Sequence, residues 1–137
     1  METIEYKPSK ALNISLWVAQ ILLAGMFIMA GAMKTFTPIE ELGANAPWVK
    51  EMPNLVRFIG VSELLGGLGL ILPSLLRIKP ILTPIAAIGI VIIMILAALY
   101  HAKMGEFGSI GFTVVIALLA AFVAWGRFKK APILPRS

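Results

Sequence analysis

Four stretches of this chain are each long enough and apolar enough to cross a lipid bilayer as a helix. They run from about Leu12 to Met33, Val56 to Leu72, Ile81 to Tyr100 and Phe107 to Trp125. A helix needs ~20 residues to span the hydrocarbon core, with ~17–25 tolerated, so the second run sits at the short limit. None of the four alternates with period two, as the strand of a membrane barrel would. Of the 137 residues, 59% are hydrophobic and 14% charged. A soluble fold of that length keeps too much of its chain at the surface to hide so much apolar area, so the boundary must be lipid. The sequence therefore predicts an all-α protein: a single membrane domain over residues 1–137, built as an antiparallel bundle of four transmembrane helices, multi-pass in the cell membrane.

The breaks between runs carry turn chemistry. Pro73-Ser74 ends the second run, Pro80 precedes the third, and Gly105 separates the third from the fourth. Ser9 and Asn54 are candidate caps for the first two helices. The first link, residues 34–55, is too long for a turn. Within it Thr37-Pro38-Ile39-Glu40 reads as a helix start, with Thr37 as cap and Pro38 at the first helical position. Ile39, Leu42, Trp48 and Val49 supply apolar anchors. A structured cap over one mouth of the bundle is expected there.

Orientation follows from the basic residues. Lys7, Lys10, Arg77, Lys79, Arg127, Lys129, Lys130 and Arg136 fall on one side, and Lys34, Lys50, Arg57 and Lys103 on the other. Eight against four places both termini in the cytoplasm, with the long first link outside. The net charge of +5 is then explained by topology and anionic headgroups, and no nucleic-acid partner is expected. Lys7 and Lys10 before the first run, and Ala30-Gly31-Ala32 at its end, have the outline of a signal peptide. The run is long for a signal and is interrupted by Gln20, so a retained first helix is expected.

Ionisable groups within a membrane are costly and face a bundle interior or a wet cavity. Here they gather in the outer half: Lys34 after the first run, Arg57 and Glu63 on the second, His101 and Glu106 at the end of the third. The inner half reads as plain packing. Glu63 lies ~10 Å into its run at 1.5 Å per residue and needs a partner or a proton. It shares a narrow helical arc with Gly60 and Gly67, which suits a face turned to another helix. His101 continues a face with Met94, Ala97 and Ala98. Lys34, Arg57, Glu63 and His101 are thus candidates to line one polar pocket, with Glu106 beside them; Arg57 and Lys34 also suit helix-end anchoring. Gly60, Gly66, Gly67, Ala97 and Ala98 are candidate helix-packing positions. There is no Cys, no paired metal-ligand spacing, and no nucleophile–base, phosphate-loop or dinucleotide motif, so no catalytic or metal residue is assigned.

The order Gly31-Ala-Met-Lys34, then Arg57-Phe-Ile-Gly60-Val-Ser-Glu63-Leu-Leu-Gly66-Gly-Leu-Gly69 up to Pro73, then Leu82-Thr83-Pro84, His101, Gly105-Glu106 and Arg127, resembles the DoxX family in its DoxX-like branch. The resemblance covers about Ala24 to Arg127. It implies a four-helix membrane bundle and an association with membrane redox complexes; some relatives are linked to thiosulfate:quinone oxidation and a eukaryotic one acts as a membrane chaperone. Without Cys the sulfur reaction does not carry over to this chain.

Two functional readings stand ahead of a small transporter subunit. One is an accessory, non-catalytic subunit whose outer polar pocket holds a quinone or another lipid-like molecule. The other is a chaperone or assembly factor working through helix–helix contacts, with a homodimer or another membrane protein as partner. Reporter fusions test the orientation. A fluorescent reporter that matures only in the cytoplasm should light up at the C-terminus, and a phosphatase active only outside should work when inserted after Ala44; the reverse pattern refutes inside termini.

Overall fold

The computed structural model describes residues 9–44 and 46–135. Six α-helices follow in order: α1 Lys10–Phe36, α2 Ile39–Leu42, α3 Pro47–Glu51, α4 Pro53–Leu76, α5 Leu82–Lys103 and α6 Phe107–Trp125, the last continued by a π-helical turn Gly126–Lys130. The four long helices are long and apolar enough to cross a membrane. They close into a ring in which α1 packs on α4, α4 on α5, α5 on α6 and α6 on α1. Large side chains such as Phe58, Leu99, Phe112 and Leu118 stay exposed on the outside of the ring. In water that surface would drive aggregation; in a bilayer it is the lipid-facing wall. Leu23, Phe27, Leu70, Ile90, Ile116 and Val123 fill the interior.

Helix ends obey local chemistry, with corrections to the sequence-based expectation. Ser9 caps α1, its Oγ accepting the Leu12 amide at 3.0 Å. Asn54 does not cap α4. Pro53 already occupies the first helical position, where its missing N–H costs nothing, and Met52 stands before it. Thr37 closes α1 instead of opening α2, donating its amide to Met33 O, and Pro38 takes the cap position. The α5–α6 turn follows the Schellman pattern. Gly105 adopts a left-handed φ of 74°, Glu106 N bonds His101 O and Gly105 N bonds Ala102 O, which satisfies carbonyls left free at the end of α5.

Pro73-Ser74 does not end the second membrane helix; α4 runs through Pro73 to Leu76 and comes to 24 residues. A proline inside a helix removes the hydrogen bond to the carbonyl four residues back, here that of Gly69. Thr83 Oγ1 on α5 donates to that carbonyl at 2.9 Å, and Ser74 Oγ donates to Thr83 Oγ1 at 2.7 Å. The polar group that proline orphans is thus re-satisfied by the neighbouring helix, which is how membrane helices tolerate such breaks.

The long first link forms the expected structured cap. Two short helices, α2 and α3, lie in it, with Val49 buried and Trp48 against Tyr100 of α5 at 5.9 Å between ring centroids. The α1–α4 contact is a close backbone crossing. A Cβ on Gly31 would meet Leu64 N at 2.5 Å and Gly60 O at 2.6 Å, and one on Gly60 would meet Lys34 Cβ at 2.7 Å. Gly67 is a little less tight, since a Cβ there would lie 2.8 Å from an Ile28 side-chain carbon and 3.1 Å from the Ala24 carbonyl oxygen, whereas Gly66 looks onto Ile90 of α5 at ordinary distance. Ala97 and Ala98 are only half-buried.

A methyl group at the crossing should therefore be costly. Gly31→Ala is expected to destabilise the bundle by about 1–3 kcal/mol, the usual range for overpacking. Gly89→Ala, where nothing lies within 4 Å, should be neutral or stabilising through helix propensity. Thermal unfolding in detergent reads both, and equal effects would contradict the close crossing.

Candidate functional site

The glycine crossing is what places charge between α1 and α4. Lys34 sits in the last turn of α1, and Glu63 lies about 15 Å along α4 from its start at 1.5 Å per residue. With no Cβ at Gly60, the Lys34 stem lies directly against α4, and Lys34 Nζ reaches Glu63 Oε1 at 2.6 Å. Glu63 is 4% exposed, so its carboxylate has left solvent and spends its charge on this one ammonium. A side-chain carboxylate in an apolar bundle is tolerable only with such a partner. The Lys34 side chain keeps 35% of its surface open, and an ammonium has three donors, of which Glu63 uses one.

Arg57 joins the same crossing without touching Glu63. Its Nη1 donates to the carbonyls of Lys34, Thr35 and Thr37 at 2.9, 3.0 and 2.7 Å. The last carbonyls of a helix have no partner of their own and carry partial negative charge, so a guanidinium there satisfies both needs. The chain's own helix end thus occupies Arg57. Lys34, Arg57 and Glu63 form one cluster.

His101 and Glu106 form another. His101 Nδ1 and Glu106 Oε2 lie 3.0 Å apart across the α5–α6 turn. Among the described residues no hydrogen bond or ion pair joins this pair to the Lys34 cluster. The five candidate residues therefore fall into two groups at the cap end of the bundle rather than around one shared contact.

The opposite end, expected to be plain packing, is not. Arg127 in the π-helical turn is 3% exposed. Its Nε donates to Gln20 Oε1 at 2.7 Å, and its Nη1 donates to Asn13 Oδ1 and Ala131 O, both at 2.8 Å. Trp17 lies under the guanidinium at 5.5 Å from the ring centroid, within cation–π range. Gln20 in turn donates from Nε2 to Leu70 O on α4 at 2.7 Å. Gly126 permits the approach, since a Cβ there would meet the Leu16 side chain at 2.5 Å. Sequence signals for this centre existed: Asn13 and Gln20 lie seven residues apart on one face of the first run, and the antiparallel order brings the end of the fourth run beside them. The sequence reading counts Arg127 for topology and gives it no place in a polar centre.

Fold and polar centres together define a small integral membrane protein, a four-helix bundle with an ion pair set between two of its transmembrane helices. The chain belongs to the DoxX-like family, whose sequence model matches residues 18–123. No curated protein and no solved structure matched it. The matched span contains Lys34, Arg57, Glu63, His101 and Glu106, and ends before Arg127.

If the pair is what holds charge in the crossing, removing one partner should hurt more than removing both. Lys34 is partly open, so the loss in Glu63→Met is discounted from the ~3–5 kcal/mol of a fully buried pair to about 2 kcal/mol. The double variant Lys34→Met, Glu63→Met should recover most of it. Unfolding midpoints of the two single variants and the double variant give the coupling; additive losses would show that the two groups act independently.

Proposed function

We propose that this protein is an accessory subunit of a membrane redox system and holds a quinone, or another lipid-like molecule with a polar head, at the cap end of its bundle. The observation that carries the reading is the asymmetry of the Lys34–Glu63 pair. The carboxylate is buried and the ammonium is partly open, with donors to spare. A quinone carbonyl is an acceptor of the kind that such a donor takes, and the apolar helices around it suit the ring and tail. Glu63 fixes the ammonium in place and neutralises it, so the ligand need not bring a charge of its own. The redox setting is what kinship with DoxX proteins suggests; the ligand class is what the pair suggests. His101 and Glu106 stand at the same end, as a further hydrogen-bonding pair near the mouth.

A second reading, a chaperone or assembly factor, is favoured by one specific feature. A cleft of about 410 Å³ opens between α4 and α5, floored by Gly66, Gly69, Ala86 and Gly89. Small residues of this kind let another transmembrane helix approach closely. In that case the partner is a membrane helix and the Lys34 pair is a fixture of the bundle.

Native mass spectrometry from mild detergent separates them. On the first reading the purified protein carries a quinone-mass adduct, and Glu63→Gln loses it while remaining folded. No adduct, or one retained unchanged in Glu63→Gln, defeats that reading. Crosslinking from a probe at Gly89 to a partner helix in native membranes supports the second.

A further inference from the structure

Among the described residues Arg127 has no counter-charge. Every group that binds it is neutral: the Gln20 and Asn13 side-chain oxygens, the Ala131 carbonyl and the Trp17 ring. Its second terminal nitrogen, Nη2, is buried with no hydrogen-bond partner among the described residues. Among the described residues the carboxylate ion pairs are those of Glu63 and Glu106, both at the other end of the bundle. A buried guanidinium held only by neutral dipoles is an unfavourable arrangement, and buried charges are ordinarily matched by an opposite charge.

Three of the groups that hold Arg127 are also the wall of a cleft. Asn13, Trp17 and Ala131 line a cleft of about 440 Å³, and Lys10 and Arg77 stand on the same wall. Among the described residues none that lines it is acidic. Arg77 caps the end of α4 in a left-handed conformation with φ 56°, and its Nε donates to Leu134 O, next to the Pro132 and Ile133 that also line the cleft. Leu75 and Trp17 give the cleft an apolar flank. Two open cations, a third buried behind the wall and an apolar flank beside them are the complement of a phosphate joined to a hydrocarbon.

We propose that this cleft binds the phosphate group of an acidic amphiphile. The phosphate oxygens accept from Lys10 and Arg77, and the negative charge compensates Arg127 across the wall made by Asn13 and Trp17. The hydrocarbon part lies along Leu75 and Trp17 and leads out into the bilayer. The site is independent of the cap-end cluster, so it stands whether or not a quinone binds there.

Lipid-exchange native mass spectrometry tests it, with phosphatidylglycerol and phosphatidylcholine offered together to the full chain in detergent. The parent protein should retain phosphatidylglycerol preferentially, and that lipid alone should raise its melting temperature. Lys10→Gln with Arg77→Gln leaves Arg127 and its neutral partners in place, and should reduce the preference by roughly tenfold. Arg127→Gln should reduce it as well while removing the cost of the unmatched charge. Lys50→Gln with Lys103→Gln, at the other end, should leave it unchanged. An excess of glycerol 3-phosphate identifies the source: displacement assigns the site to a soluble phosphate ester, and persistence assigns it to the lipid. Equal retention of the two lipids by the parent chain overturns the proposal. So does a preference that survives both the rim variant and Arg127→Gln, or one that falls equally in the Lys50 and Lys103 variant.

Discussion

The Lys34–Glu63 ion pair is the contact around which the rest of the bundle is arranged. In lipid there is no water to solvate a stray carboxylate, so Glu63 can face the interior of the bundle only if a cation is brought to it. Bringing one requires α1 and α4 to come close, and closeness requires the absence of side chains at the crossing. Gly31, Gly60 and Gly67 supply that absence. The same proximity lets Arg57 reach the carbonyls that end α1. Packing, charge and helix capping are three consequences of one backbone approach, and a substitution at the glycines should disturb all three together.

The two ends of the bundle solve the membrane's demand for polar satisfaction differently. At the cap end a full positive charge meets a full negative charge. At the opposite end the buried Arg127 meets only neutral groups among the described residues, in a chain of hydrogen bonds: Arg127 to Gln20, Gln20 to the Leu70 carbonyl, Ser74 to Thr83, Thr83 to the Gly69 carbonyl. Two of these links rescue or exploit α4 around Pro73, and one draws the π-helical turn onto α1. This chain is complete for its hydrogen bonds except at Arg127 Nη2 and is incomplete for charge, which sets it apart from the balanced pair at the opposite end.

The architecture was legible because the bilayer imposes it. Four apolar runs of spanning length leave no soluble alternative, and the Thr37-to-Val49 segment carried enough anchors to mark a folded cap. Glu63 was legible as a group in need of a partner, on cost alone. Other features depend on which neighbour a helix turns out to have. Pro73 looked like a helix end because a proline breaks a helix in isolation; Thr83 from α5, invisible to local reasoning, keeps it in. Asn54 lies inside α4 because the helix starts one residue earlier, at Pro53, which leaves the cap position to Met52, a difference that composition does not resolve. Arg127 enters the sequence reading only as a charge that sets topology; the π-helical turn and Gly126 fold it back over Trp17 and Gln20. The separation of His101 and Glu106 from the Lys34 cluster is likewise a matter of which helices neighbour each other at that height.

The central claim is that the α1–α4 crossing contains a charged pair and not a neutral hydrogen bond. Infrared spectroscopy of the protein in lipid at neutral pH, with isotope-labelled glutamate, reads the protonation state of the carboxyls directly. Among the described glutamates Glu63 alone is buried, and a band that Glu63→Gln removes is its own. The account predicts carboxylate stretches only, with one narrow component that Glu63→Gln removes and Lys34→Met shifts. A protonated carboxyl stretch that disappears in Glu63→Gln would contradict it.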